Sequence, residues 1–129
     1  MRLIYFLLFL SVKASATTCL ITDEMQSSWN DNYASSIDLR ITKIKDRSDV
    51  LVLFPEKIED LSLSSVFLQL GNDSNPEFVS QLGIYREEEM PAVFFTMKNS
   101  VTSKGYIIAE YGADCGVQVF KEVVFSEQT

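Results

Sequence analysis

Short apolar runs separated by polar stretches dominate the chain after its first third, and each run has the length of a β-strand. The runs that we predict as strands cover 37–41, 50–54, 66–70, 92–97 and 105–111. Those at 50–54 and 66–70 are apolar at nearly every position, which is typical of strands covered on both faces in a parallel sheet. The last two runs are joined by a short polar turn, which predicts an antiparallel hairpin.

Helix signals lie between these runs. Met25, Trp29 and Tyr33 recur at fourfold spacing and predict a helix over 23–35. A short polar helix is predicted over 56–65. The best punctuated candidate is 75–83, where Asn75 can cap the helix and Gly83 stands where a helix stops.

A last helix is predicted over 114–125, because Val117, Phe120, Val123 and Val124 share one helical face. Its β-branched content keeps a strand open as the alternative. The predicted order of strand, helix, strand, helix, strand, strand and helix indicates an α/β fold with a mixed sheet.

This order resembles the thioredoxin fold. The matching segments are 50–54, 67–76, Leu82-Gly83-Ile84 and Met90-Pro91 with the strand that follows. The resemblance implies a mixed sheet of four to five strands, in which the central strands are parallel and the C-terminal hairpin is antiparallel. Helices would flank the sheet, the second of them shortened, and the Met90–Pro91 peptide bond would be cis.

The resemblance does not extend to the redox site, because Pro55-Glu56-Lys57-Ile58 stands where the Cys-x-x-Cys motif belongs. The chain is in this respect similar to redox-inactive domains of the protein disulfide isomerase family, which bind polypeptides. Carried over, that similarity places a peptide-binding rim at Tyr85, Met90 and Pro91.

The first sixteen residues have the features of a secretory signal: a basic start at Arg2, an apolar run, and small residues ending at Ala16. An uncleaved anchor is the alternative. We therefore expect a signal peptide over 1–16 and one thioredoxin-like domain over 17–129, in which 17–36 is an uncertain N-terminal segment. The expected location is the secretory pathway, either the endoplasmic reticulum lumen or the extracellular space, or the periplasm of a bacterium.

The composition of the chain excludes several kinds of binding partner and catalytic site. The 129 residues include 18 acidic and 11 basic side chains, for a net charge of −7, and no histidine. Nucleic acids and anionic membranes are unfavourable partners for such a chain. Without histidine, Ser-His-Asp and Cys-His catalysis are excluded. We expect no metal, no cofactor and no membrane span once the signal is removed.

The two cysteines, Cys19 and Cys115, are disulfide candidates in an oxidising compartment. Cys115 is also a candidate nucleophile, because a thiol at the start of a helix has a lowered pKa. Asn72-Asp73-Ser74 is a glycosylation sequon. The acidic run Glu87-Glu88-Glu89 is expected to be a solvated loop, with a docking surface for a basic peptide as the alternative.

The sequence leaves three predicted functions open. The favoured one is a non-catalytic escort that binds polypeptides or a partner subunit. The second is a monothiol oxidoreductase or isomerase that uses Cys115. The third is a secreted interaction factor that uses its fold as a scaffold. A homodimer is among the expected partners, since a thinly covered sheet face would leave apolar surface exposed.

Overall fold

The structure, a computed structural model, describes residues 20–72, 75–101, 104–113 and 115–125. In this part of the chain one helix, α1 (Asp23–Tyr33), and a single 3-10 turn (Ala34–Ser36) precede the strands. The strands are β1 (Asp38–Ile44), β2 (Arg47–Leu53), β3 (Lys57–Ile58), β4 (Leu61–Asn72), β5 (Asn75–Leu82), β6 (Tyr85–Glu87), β7 (Met90–Lys98), β8 (Gly105–Tyr111) and β9 (Val117–Val123). The predicted signal peptide lies outside the described residues.

The strands form two antiparallel sheets. The first sheet has the order β1-β2-β7-β6. The second has the order β3-β4-β8-β9, and β5 also pairs with β4. Because β8 occupies one side of β4, the strands β3 and β5 lie one after the other along its opposite side.

One hydrophobic core joins the two sheets. Val50 and Val52 of β2 belong to the same buried cluster as Val66 of β4, Ile107 of β8 and Val119 of β9. Successive side chains of a strand point to opposite faces, so these alternate positions all face the other sheet. The architecture is therefore a β-sandwich, in which each sheet covers the inner face of the other.

The predicted thioredoxin-like α/β fold is wrong. Every strand pairing in the described residues is antiparallel, including those of the two apolar runs that predicted parallel central strands. The strand positions at 37–41, 50–54, 66–70, 92–97 and 105–111 are confirmed, as is the helix at 23–35. The predicted pairing of the strands and the predicted flanking helices are wrong.

Two predicted internal helices are strands. The stretch 56–65 contains a hairpin turn at Glu59 and Asp60, whose φ angles of 50° and 63° are left-handed. The stretch 75–83 forms β5 along β4. There the Asn75 N–H donates to Asn72 Oδ1 at 2.7 Å, so an asparagine side chain stabilises a turn between strands rather than a helix start.

The C-terminal helix and the predicted hairpin are also wrong. Val117, Val119 and Val123 are buried at even spacing, which is the period of a strand, and they form β9 on β8. The strands β7 and β8 do not pair with each other, because the chain passes from the first sheet to the second between them. Asp114, where the predicted helix begins, lies outside the described residues.

The helix α1 covers the edge of β9. Thr22 caps its start by accepting from the Met25 N–H. From one turn of the helix, Gln26 Nε2 donates to the Gln118 carbonyl and Asn30 Oδ1 accepts from the Phe120 N–H, both at 2.8 Å. Gln26 Nε2 also donates to Asn30 Oδ1 at 3.0 Å. Two amide side chains thereby satisfy backbone groups that an edge strand otherwise leaves exposed.

We predict that Asn30→Ala destabilises the fold. The substitution removes the acceptor for the Phe120 N–H, and the loss should lower the free energy of unfolding by about 1–3 kcal/mol. Urea denaturation followed by circular dichroism measures the change.

Asn32→Ala is the matched control, because Asn32 is exposed on the same helix and makes only a 3.4 Å contact with Ser28. Its effect should stay within about 0.5 kcal/mol. Equal destabilisation by the two variants would show that α1 does not cap β9 in this way.

Candidate functional site on the outer face of the first sheet

The register of the first sheet brings apolar side chains together on its solvent side. Leu51 of β2 lies opposite Phe94 of β7, and Leu53 lies opposite Ala92. Ala92 in turn lies opposite Tyr85 of β6. Their neighbours Val50, Val52 and Val93 face the core, so these five residues must point outward.

The larger side chains of this face are exposed. Phe94 is 52% exposed and Tyr85 is 39% exposed, whereas Leu53 and Ala92 are buried beside them. A depression of about 380 Å³ opens on this face. We name it the outer-face patch; its lining residues are Arg40, Thr42, Asp49, Leu51, Tyr85, Glu87 and Phe94.

Charged groups surround the aromatic rings. Arg40 donates to Asp38 at 3.0 Å and to both carboxylate oxygens of Glu88 at 3.2 and 3.4 Å. These hydrogen bonds raise the pKa of the Arg40 guanidinium, and the hydrogen bond to Glu88 has the largest effect. Asp49 accepts from Thr96 Oγ1 at 3.0 Å. Burial, followed by the charge of Glu87, raises the pKa of the Tyr85 phenol. The charged side chains of the patch are therefore held in place before any ligand arrives.

The predicted rim residues Tyr85, Met90 and Pro91 do come together, in the β6–β7 hairpin. Its turn consists of Glu88 and Glu89, whose φ angles of 52° and 65° are left-handed. The acidic run is exposed, and its last two residues form a tight turn. The described residues contain no cis peptide bond, so the expectation of a cis Met90–Pro91 bond is wrong.

Pro91 itself is structural. It is buried, and its carbonyl accepts from the Phe54 N–H at 2.9 Å. A second cavity of about 190 Å³ lies beside it. Tyr85 lines both this cavity and the outer-face patch, so it is the rim residue that connects them.

Arg86 and Glu56 form an ion pair beside the β6–β7 hairpin, and both line the cavity next to Pro91. Arg86 lies on β6, and Glu56 lies in the link between β2 and β3. The pair therefore ties the hairpin to the passage from the first sheet to the second. The Arg86 hydrogen bond is the main cause that lowers the pKa of the Glu56 carboxyl.

The structure does not place Cys115 at the start of a helix, as the sequence had predicted. Cys115 is disulfide-bonded and does not begin a helix, because it lies in the link from β8 to β9 with a φ of 56°. The physical reason for a lowered thiol pKa is thus absent. Cys19 lies outside the described residues, so its pairing with Cys115 stays a prediction. Ile21, two residues after Cys19, lines the same cavity as Cys115 and supports that pairing.

The link around Cys115 is tightly constrained. A Cβ at Gly116 would lie 1.7 Å from the Tyr111 carbonyl oxygen, so only glycine fits there. The hydroxyl of Tyr111 donates to the Pro55 carbonyl at 2.9 Å, and burial raises its pKa well above the usual range. These contacts indicate a structural role for this end of the second sheet.

The glycosylation candidate Asn72 is exposed at the end of β4, and its Oδ1 accepts from Asn75. Glycan attaches to the amide nitrogen, so this hydrogen bond is compatible with modification. Asp73 and Ser74 lie outside the described residues, and modification of Asn72 stays a prediction.

Sequence reasoning missed Leu51 and Phe94. The signal that points to them is the continuous apolar run at 50–54, which we attributed to a parallel sheet. In an antiparallel sheet with one solvated face, such a run instead marks apolar side chains on the outside. Within the described residues, no group of three potential metal ligands comes together, and the single helix there is too short to cross a membrane.

Comparisons with known proteins identify no relative. A scan against protein-family models finds no match, and neither does a search of curated proteins or of solved structures. The function must therefore be argued from this structure.

We predict that Arg86→Gln raises the pKa of Glu56. The hydrogen bond and charge of Arg86 favour the ionised carboxyl, so the pKa should return towards its usual range without them. Carbon-detected NMR titration of the carboxyl measures it. The pKa of Glu56 is lower in the folded state than in the unfolded state. The ion pair therefore contributes its full stabilisation above the unfolded-state pKa, and this stabilisation is lost as the pH falls through the folded-state pKa.

Lys57→Gln is the matched control, since the charge of Lys57 is the smallest of the causes acting on Glu56. It should raise the pKa of Glu56 by less than Arg86→Gln does. A larger shift from Lys57→Gln would contradict the assigned pairing.

Proposed function

We propose that this protein is a non-catalytic binding protein of the secretory pathway that holds a polypeptide segment on its outer-face patch. The observation that carries the proposal is the exposure of Phe94 and Tyr85 in a depression of about 380 Å³ on the solvent side of the first sheet. Exposed aromatic side chains in such a setting are typical of interaction sites.

The chemistry of the patch favours a basic segment. Asp49 and Glu87 line it together with one guanidinium, that of Arg40, which Asp38 and Glu88 already engage. A lysine or arginine of a ligand can lay its aliphatic part and its cation against an aromatic ring and reach a carboxylate. The net charge of −7 adds long-range attraction for a basic partner.

The structure gives no support to the monothiol alternative. A disulfide-bonded Cys115 has no thiolate for attack, and the chain has no histidine to activate a nucleophile. Retention in the endoplasmic reticulum and release from the cell are both compatible with the patch. The secretory location rests on the predicted signal over 1–16.

We predict that the protein binds basic peptides more tightly than acidic ones and that Phe94→Ser weakens this binding. Fluorescence polarisation with labelled peptides of equal length and equal apolar content, one basic, one neutral and one acidic, measures binding. Loss of the Phe94 ring should weaken binding of the basic peptide at least about tenfold, which is about 1.4 kcal/mol. Added salt should weaken it further.

Val124→Ser is the matched control, because Val124 is 57% exposed, directly follows β9 of the second sheet and does not line the outer-face patch. It should leave binding unchanged. Equal binding of the acidic and basic peptides, or unaltered binding by Phe94→Ser, would overturn the proposal.

A further inference from the structure

The cavity beside Pro91, which we name the Pro91 cavity, takes its lining from both sheets. Leu63 lies near the start of β4 in the second sheet, whereas Tyr85 of β6 and Pro91 of β7 belong to the first. Ile84, in the link from β5 to β6, also lines the cavity and is 40% exposed. The cavity is therefore bordered by apolar and aromatic residues, and part of that border is open to solvent.

The charged residues that line the Pro91 cavity neutralise one another. Glu56 and Arg86 form an ion pair, and Arg86 also donates to the Glu89 carbonyl. A charged group that entered the cavity would meet this balanced pair instead of an unopposed charge, and it would lose part of its own hydration. The electrostatics of the cavity therefore favour an apolar occupant.

The size of the cavity favours a single side chain over a whole small molecule. Sites for small-molecule ligands usually enclose about 300–1,000 Å³. The Pro91 cavity is smaller, at about 190 Å³. Small pockets at the edge of a binding surface typically receive one anchor side chain of the partner, and such anchors carry much of the binding energy.

Tyr85 joins the Pro91 cavity to the outer-face patch, because it lines both. Tyr85 lies opposite Ala92, and Phe94 follows two positions further along β7. Two positions of a strand span about 7 Å. A ligand segment of a few residues can therefore contact the Phe94 ring and reach the cavity at the same time.

We propose that the Pro91 cavity receives an aliphatic side chain of about the size of leucine, from the same polypeptide whose basic side chain lies on the outer-face patch. The proposal rests on the function proposed above and adds a second recognition element to it. The ligand is then a segment in which a basic residue and a leucine-sized residue are a fixed, short distance apart. Neighbouring side chains of an extended segment point to opposite sides, so this spacing matters.

A series of labelled peptides tests the proposal by fluorescence polarisation. The parent peptide has one central arginine in an alanine background, and leucine replaces one alanine at a time, up to four positions to either side. Leucine at one or two of these positions should tighten binding at least about tenfold, because its side chain leaves water there. Aspartate or lysine at the same positions should not reproduce this gain.

Two variants of the protein locate the gain. Ile84→Ser removes an apolar side chain from the border of the Pro91 cavity, and Ser62→Leu adds one that fills it. Each should abolish the gain from leucine and leave binding of the parent peptide unchanged, because neither residue lines the outer-face patch. Val124→Ser is the matched control for Ile84→Ser and should keep the gain.

The outcomes separate this proposal from the function on which it rests. If the parent peptide binds and Phe94→Ser weakens it, but leucine tightens binding at no position or equally at all positions, the cavity proposal is overturned and the outer-face patch stands. Retention of the gain by both Ile84→Ser and Ser62→Leu also overturns it. If the parent peptide does not bind, or binds Phe94→Ser equally well, the proposed function fails and the cavity proposal fails with it.

Discussion

The alternation of side chains across antiparallel strands is the constraint on which the rest of this structure depends. Val50 and Val52 must face the second sheet to meet Val66 and Ile107 in the shared core. Their neighbour Leu51 is then forced outward, opposite Phe94. A slip of one residue would turn the core valines to solvent, so the register that makes the core also makes the outer-face patch.

The sequence predicted the positions of the long strands and of α1 but not how the strands pair. An apolar run such as 50–54 indicates burial at most positions, and a parallel sheet is one arrangement that supplies it. In a β-sandwich the core buries only every second residue of such a run. The remaining residues lie on the outer face of the first sheet, where Leu53 is buried next to Ala92. Pairing partners lie far apart in the chain, so no local pattern distinguishes the two arrangements.

The local helix signals predicted the wrong structure where the chain gains more stability by pairing as a strand than by forming a helix. The stretch 75–83 has a cap residue, a proline and a final glycine in helical order, yet it lies along β4 and completes the second sheet. In 114–125, the buried positions Val117, Val119 and Val123 follow the strand period, and the β-branched side chains suit it. Of the candidate site, Tyr85 was predicted and Phe94 was not, because Phe94 matters only through its cross-strand neighbour Leu51.

The two exposed apolar features of the fold differ in charge and in position. Phe94 lies among carboxylates and a guanidinium on the outer face of the first sheet, a setting that favours a basic ligand. Phe78 lies on an edge of the second sheet whose strand contains one charged side chain, that of Glu77, and this setting offers a basic ligand less attraction.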